Sequence, residues 1–303
     1  MSSWPALREP LVRFPLPCWS VSSLWSPSLT RRVSMDFRLT SYPRRELGQT
    51  TPRTALTNRI MPKLVIHPLP ETVAPVELAG GVVVVIDVLR ATTVIVHALA
   101  HGARAVVAAA SIDEARAVAN QWPVEEKLLG GERHGVTIEG FDLDNSPFHY
   151  GREIVAGKTI IFTTTNGTRA LRWANQAAEI LIGAFVNLSA VVDRLRAEMR
   201  TVHLLCAGTD NRLSGEDLLF AGAIADRLSQ EFLMNSETRI FAEFWRLHGS
   251  CDVERLQSMR DSAGGRNLVD LGFDRDIERA SQIDLFHVVP TLDQSSGELR
   301  VDH

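Results

Sequence analysis

The chain has 303 residues, 45% of them apolar and 22% charged, with a formal net charge of −4. That is the composition of a soluble globular protein with ample material for a sizeable core, in one large domain or two smaller ones. It offers no basic surplus for general nucleic-acid binding and no apolar run long enough to span a bilayer. The cysteines Cys18, Cys206 and Cys251 are too scattered for a disulfide framework or a thiolate zinc site, so a reduced, cytoplasmic setting is expected.

Charge is unevenly spread. Residues 1–60 hold nine arginines against three acids, which leaves the remainder at −10. This first segment is rich in Ser, Pro and Trp, follows neither helical nor strand periodicity, and lacks the apolar centre of a secretory signal. Its Arg- and Ser-rich, acid-poor make-up faintly resembles an organelle transit peptide. A disordered extension is the simpler reading, as is a start at Met61, which opens MPKLVIHPLP.

From Met61 onward strand-like and helix-like stretches alternate, which predicts an α/β fold with a mostly parallel sheet flanked by helices, over 61–303. Two lobes with a site between them are compatible with this length. Residues 63–67 read as the first strand. Residues 82–86, VVVVI, form a continuous apolar run, the pattern of a strand buried on both faces. A helix follows over 93–101 and a third strand over 104–109. Ser111 then caps a helix over 112–121, with Glu114 completing a capping box. A short strand at 127–129 runs into a long polar, glycine-rich loop at 130–147. Proline at 147 opens a helix expected to reach 156. Strands at 159–162, 179–183 and 202–206 alternate with helices at 169–176, 188–200 and 218–229. The remainder is more helical (237–247, 253–260, 267–271 and 274–280), ending in a strand at 285–289 and a ragged tail.

Four polar stretches follow strands and are expected to gather on one edge of the sheet, where open α/β folds bind ligands. The first is Asp87 to Thr93. Asp87 and Arg90 suit a divalent cation and a phosphoryl or sulfonyl group, and Thr92 or Thr93 sits at a helix start; a structural ion pair with a threonine cap is the plainer reading. The second holds Glu132, Arg133 and His134, then Asp142, Asn145 and Ser146; charged surface loops are common, and a solvated loop histidine is the ordinary case. The third is Thr163 to Thr168, whose hydroxyls, Asn166 amide and Gly167 can cradle phosphate oxygens, although a simple capped turn looks alike. The fourth holds Asp210, Glu216 and Asp217, which are either first-turn acids complementing a helix dipole or hard oxygen ligands for Mg²⁺. No His/Cys ligand spacing, P-loop, GxSxG or GxGxxG pattern is present. Cys206 at a strand end reads as a buried cysteine, since no basic neighbour lowers its pKa.

Five ordered motifs carry a resemblance: IDVLRATT (86–93), GGERHGVTIEGFDLDNSP (130–147), TTTNGT (163–168), CAG…SGED…AG (206–222) and LGFDRDI…QIDLFHVVP (271–290). Together they resemble the 2-phosphosulfolactate phosphatase family, over residues 63–289. The resemblance implies an α/β fold of the family's own kind, distinct from the haloacid-dehalogenase type, and Asp87 indeed lacks that type's DxDx[TV] context. It implies a Mg²⁺-dependent acid phosphatase converting 2-phospho-3-sulfolactate to 3-sulfolactate in coenzyme M biosynthesis. The family loop often reads GFDLGNSP; here Asp144 replaces the second glycine.

The mechanism expected is metal-assisted phosphomonoester hydrolysis on a small anionic substrate. Asp87, Glu132, Glu216 and Asp217 are the expected Mg²⁺ ligands, and Asp87, Arg90, Glu132 and Arg133 the catalytic set. Thr92, Thr93, Asn145, Ser146, Thr164, Thr165, Asn166, Gly167 and Thr168 are the expected substrate contacts. Direct attack by water and an aspartyl-phosphate on Asp87 both fit the spacing. A non-catalytic sensor of a phosphorylated or sulfonated metabolite, or a phosphatase for another small 2-phospho acid, are the alternatives. A homo-oligomer is compatible with the sequence, which carries no signal for one.

Overall fold

The computed structural model describes residues 61–301; the expectations for residues 1–60 lie outside the described residues. β1 (Lys63–His67) and β2 (Val82–Ile86) have the bounds their apolar runs predict, and α1 (Ala91–Ala100) follows. Then come β3 (Ala105–Ala108), α2 (Ile112–Ala119), β4 (Lys127–Arg133), β5 (Val136–Thr137), α3 (Arg152–Val155) and β6 (Thr159–Thr163). The middle of the chain supplies α4 (Gly167–Trp173), β7 (Glu179–Gly183), α5 (Leu188–Arg196), β8 (Val202–Cys206), α6 (Gly215–Arg227) and β9 (Leu233–Met234). Four helices, α7 (Ser236–His248), α8 (Asp252–Asp261), α9 (Ala263–Asp270) and α10 (Asp274–Ala280), precede β10 (Thr291–Asp293) and β11 (Glu298–Arg300).

The strands form one mixed, mostly parallel sheet in the order β5-β4-β6-β3-β11-β10-β7-β2-β8-β1-β9. Two parallel blocks, β4-β6-β3 and β7-β2-β8-β1-β9, are joined by the β10–β11 hairpin, which is antiparallel to β7 on one side and to β3 on the other. Three successive antiparallel pairings set the blocks in opposite senses along the ladder. Both blocks nevertheless turn side chains into one apolar layer around α1 and α4: Val83 and Val85 from β2, Val106 from β3, Ile160 and Phe162 from β6. The sheet therefore coils around α1, which explains why nine of its residues are buried. Val82, Val84 and Ile86 point the other way, into a second cluster with α5, α6 and α7. The run 82–86 is thus buried on both faces, as its composition requires.

Several expectations are corrected. The stretch 130–147 is not loop throughout, because β4 continues to Arg133 and pairs back with β5. The backbone permits this only with glycine at 131, where φ is +140° and a Cβ would lie 1.9 Å from the Thr163 carbonyl oxygen. The helix expected over 147–156 is broken into a 3-10 turn (Pro147–His149) and α3, with Gly151 extended between them. The buried Tyr150 sits at the break and donates its hydroxyl to the Asp144 carbonyl at 2.7 Å. Residues 285–289 form no strand, while the tail expected to be ragged supplies β10 and β11. Asp293 closes their turn by accepting from Ser295 and Ser296, and Gly297 supplies the left-handed residue. At α2 the capping box holds in a shifted form: Ser111 accepts from the Glu114 N–H, while Glu114 accepts from the Ala110 N–H.

Leu299 on β11 is fully buried in the shared apolar layer. Leu299→Ala is expected to cost roughly 2–5 kcal/mol of stability, measured by urea denaturation. His97 on α1 is buried with neither ring nitrogen partnered, edge-on to Phe286 at 4.8 Å. Burial, helped by Arg279 and His101, lowers its pKa to about 3. The unfolded chain then binds a proton between about pH 6.5 and 3 that the folded protein refuses, so stability falls as pH falls through that window. Relative to His97→Leu, the wild-type protein is expected to lose up to about 1.4 kcal/mol per pH unit there, measured by denaturation at stepped pH.

Candidate active site

The carboxyl ends of β2, β4, β6 and β8 converge on a cavity of about 450 Å³, a size that suits a small ligand. Asp87 leaves β2 with its backbone clamped. The Thr92 hydroxyl donates to the Asp87 carbonyl at 2.8 Å and accepts from its N–H at 3.1 Å. The side chain is turned inward, where its Oδ1 takes the Ala91 N–H at 3.3 Å. Gly167 at the start of α4 makes room for it, since a Cβ there would lie 2.9 Å from Asp87 Oδ2 and 2.6 Å from Ala91. Burial pushes the Asp87 carboxyl up to about 7, with Glu132 and Glu216 adding repulsion against the opposing Ala91 N–H and Arg90.

Glu132 lies on the same wall. Its Oε1 accepts from the Thr165 N–H at 2.9 Å and its Oε2 from the Gly135 N–H at 2.7 Å. One carboxylate therefore ties the β6–α4 loop to the two-residue turn between β4 and β5, where His134 and Gly135 both have positive φ. Arg90, 3% exposed, donates Nη1 to Asp276 Oδ2 at 2.7 Å and Nη2 to the Gly135 carbonyl at 3.3 Å, and its guanidinium lies 4.5 Å from the Phe273 ring centre. The partner of Arg90 is thus Asp276 on α10, not Asp87.

The expected site residues divide by what their polar atoms touch. Asp87, Arg90, Glu132, Asn145, Thr164, Thr165 and Asn166 line the cavity. Among these, Asn145 Oδ1, Thr164 Oγ1 and Thr165 Oγ1 are buried without a partner, which leaves them free for ligand atoms. Thr92, Thr93 and Thr168 give their hydroxyls to the carbonyls of Asp87, Val88 and Thr164, and Ser146 gives its own to Asp276 Oδ1 at 2.8 Å. These four hold loops in place and do not line the cavity. Arg133 is likewise turned away, onto the Glu132 carbonyl and the Thr163 hydroxyl. Asp142 accepts from the Leu129 N–H, and Asp144 caps the following turn through the Ser146 N–H and His149.

The α6 acids separate too. Asp217 accepts from the Val88 N–H at 2.9 Å and the Gly208 N–H at 3.1 Å, so it staples the loop after β2 to the loop after β8. Burial, with Glu216 and Asp87 nearby, raises its pKa well above the ordinary value. Glu216 is also raised, chiefly by burial; its Oε2 has no partner, and its Oε1 faces cavity-lining Gly264. Among the described residues no group of three or more His, Cys, Asp or Glu side chains could by itself hold a metal ion. Cys206 is fully buried with its thiol pushed well up, which suits a core residue and not a nucleophile.

Residues 68–295 match the family model described as 2-phosphosulpholactate phosphatase. The chain belongs to that family. The 2-phosphosulfolactate phosphatase family includes a relative from Thermotoga petrophila that is 42% identical over 219 residues, covering 72% of this chain and 91% of the relative. A relative from Caldanaerobacter subterraneus is 40% identical over 210 residues (69% and 87%), and one from Parasynechococcus marenigrum 40% identical over 232 (75% and 94%). Each is named a probable 2-phosphosulfolactate phosphatase. The matched region takes in every residue that lines the cavity, and Asp276 behind Arg90 as well. No helix of the described residues is long and apolar enough to cross a membrane.

Residues that matter here but escape sequence reasoning are Asp276 and Arg212. Asp276 sits in the closing LGFDRDI motif, 186 positions from its arginine, and Arg212 lines the cavity from the turn after β8. Asp276→Ala leaves Arg90 buried without its counter-charge and is expected to cost about 3–5 kcal/mol, measured by chemical denaturation.

Proposed function

We propose that this protein hydrolyses the phosphomonoester of 2-phospho-3-sulfolactate to 3-sulfolactate and phosphate, with a divalent cation at Asp87 and Glu132. The observation that carries the proposal is a cavity where two buried carboxylates stand beside an arginine and unpartnered hydroxyls, within a chain of this family. Two cavity-lining carboxylates, neither held in a salt bridge among the described residues, suit Mg²⁺, which takes one or two carboxylates and completes its shell with water and phosphoryl oxygens. Asp217 does not line the cavity and is spent on stapling the Val88 and Gly208 N–H groups, so it does not fit as a ligand, and Glu216 lies behind Gly264 at the cavity edge.

When bound, the cation neutralises charge on the phosphoryl oxygens. Arg90 offers the remaining N–H groups of its fork to the phosphoryl group, with its plane fixed by Asp276 and Phe273. Thr164 and Thr165 supply neutral hydroxyl donors, and the Glu132 bonds hold the loop that carries them. Water supplies the oxygen that ends on phosphorus; the bond between phosphorus and the ester oxygen breaks, and the leaving alkoxide takes a proton to become the 2-hydroxyl of sulfolactate.

Phosphate release from 2-phospho-3-sulfolactate is expected with Mg²⁺ and to stop in EDTA. Asp87→Asn is expected to lower kcat at least a hundredfold while the far-ultraviolet circular dichroism is kept. Saturable binding of 3-sulfolactate without phosphate release would instead support a sensor. Because the Asp87 carboxyl is raised to about 7, it is mostly protonated below that pH and must lose its proton to receive a cation. Mg²⁺ affinity is therefore expected to rise, by up to about tenfold per pH unit, as pH climbs toward 7 and to level off above. Calorimetry in buffers of different ionisation enthalpy measures the released proton.

A further inference from the structure

The cavity has two arginines on its lining, Arg90 and Arg212, and they differ in kind. Arg90 is buried, and part of its charge is spent on Asp276. Arg212 is exposed, and among the described residues its guanidinium has neither an ion pair nor a hydrogen bond. Exposed arginines are usually mobile, but the backbone beneath this one is held.

Arg212 ends a tight turn in which Asp210 and Asn211 take φ of +50° and +59°. Thr209 and Arg212 exchange two backbone hydrogen bonds, each 2.9 Å long. The turn is tied to its surroundings at three further points. Asn211 accepts from Arg169, the Asp210 N–H donates to Asn166 Oδ1 at 3.4 Å, and the Thr209 hydroxyl meets that of Ser214 at 2.8 Å. Asn166 belongs to the same loop as Thr164 and Thr165, so the turn is registered against the wall that carries the unpartnered hydroxyls. An uncompensated guanidinium on a braced turn at the open side of an anion cavity is a recognition element with nothing of its own to recognise inside the protein. Arg133, the other arginine the sequence offers for such a task, is committed to Thr163 and the Glu132 carbonyl.

We propose that Arg212 reads the anionic group of the substrate that lies farthest from the phosphoryl group, the sulfonate, and so determines specificity for a 2-phospho acid bearing a second strong anion. The inference rests on the function proposed above. Three oxygens on a sulfonate accept from a guanidinium fork, whereas a methyl group in the same place leaves that fork to water.

The test compares 2-phospho-3-sulfolactate with 2-phospholactate, which lacks the sulfonate, in the wild-type protein, Arg212→Gln and Arg212→Lys. In Arg212→Gln the ratio of kcat/KM values, sulfonated over unsulfonated, is expected to fall about tenfold, with the loss carried by KM. Arg212→Lys, which keeps the charge, is expected to recover part of the ratio. A fall of threefold or more supports the inference. A smaller fall, or an equal loss on both substrates, overturns it. If the wild-type protein turns over neither substrate, the proposed function fails first, and Arg212 is judged by calorimetric binding of 3-sulfolactate against lactate. Wild-type preference for 3-sulfolactate that Arg212→Gln reduces threefold or more then supports it; no preference, or a smaller reduction, overturns it.

Discussion

The ion pair between Arg90 and Asp276, 2.7 Å long and almost wholly out of water, joins parts of the chain that share no strand or helix. Arg90 follows the central strand, Asp276 lies in the last helix, and each recruits a further segment: Arg90 the carbonyl of Gly135, Asp276 the hydroxyl of Ser146. A buried pair of this sort gives little net stability, because both charges must be stripped of water. What it supplies is position. It sets the plane of a guanidinium on the cavity wall, and it partly neutralises that charge, so that an anionic ligand meets a shaped donor and not a free cation.

The carboxylates opposite show the reverse imbalance. Carboxylate repulsion adds to a larger effect of burial at two of them: Glu132 and Glu216 raise the pKa of Asp87, and Glu216 and Asp87 raise that of Asp217. Such a cluster works against folding, and the surroundings offset it with backbone N–H groups. Ala91 serves Asp87; Thr165 and Gly135 serve Glu132; Val88 and Gly208 serve Asp217. Glu216 keeps one oxygen with no donor at all. Acids collected at a cost to stability and aimed at a cavity are a common mark of function.

Much of this was legible in the chain itself, and the limits of that legibility are physical. Buried strands such as 82–86 are read from unbroken apolar runs, and α10 has the bounds expected of it over 274–280. Side-chain direction is another matter. Six threonines, Thr92, Thr93, Thr163, Thr164, Thr165 and Thr168, look equivalent in a polar turn. Only the local backbone decides that Thr164 and Thr165 keep free hydroxyls while Thr92 and Thr168 bond to carbonyls. Arg133 and Arg212 differ for the same reason. The gathering of loops at strand ends was also foreseeable, but not its route: the two blocks run in opposite senses, and their carboxyl ends meet because the sheet wraps around α1. The hairpin that joins them is not legible in the sequence, because each of its strands is three residues long with a single apolar position.

That hairpin is also the last part of the sheet to be synthesised. Every other strand of both blocks has left the ribosome before Thr291 is added, yet β3 and β7 have no neighbour between them until residues 291–300 emerge. Until then each block has an open edge of unpaired N–H and C=O groups, on strands that are otherwise buried. The sheet therefore closes only once residues 291–300 are free of the ribosome, and a nascent chain stalled short of them would carry two sticky edges in place of one continuous layer.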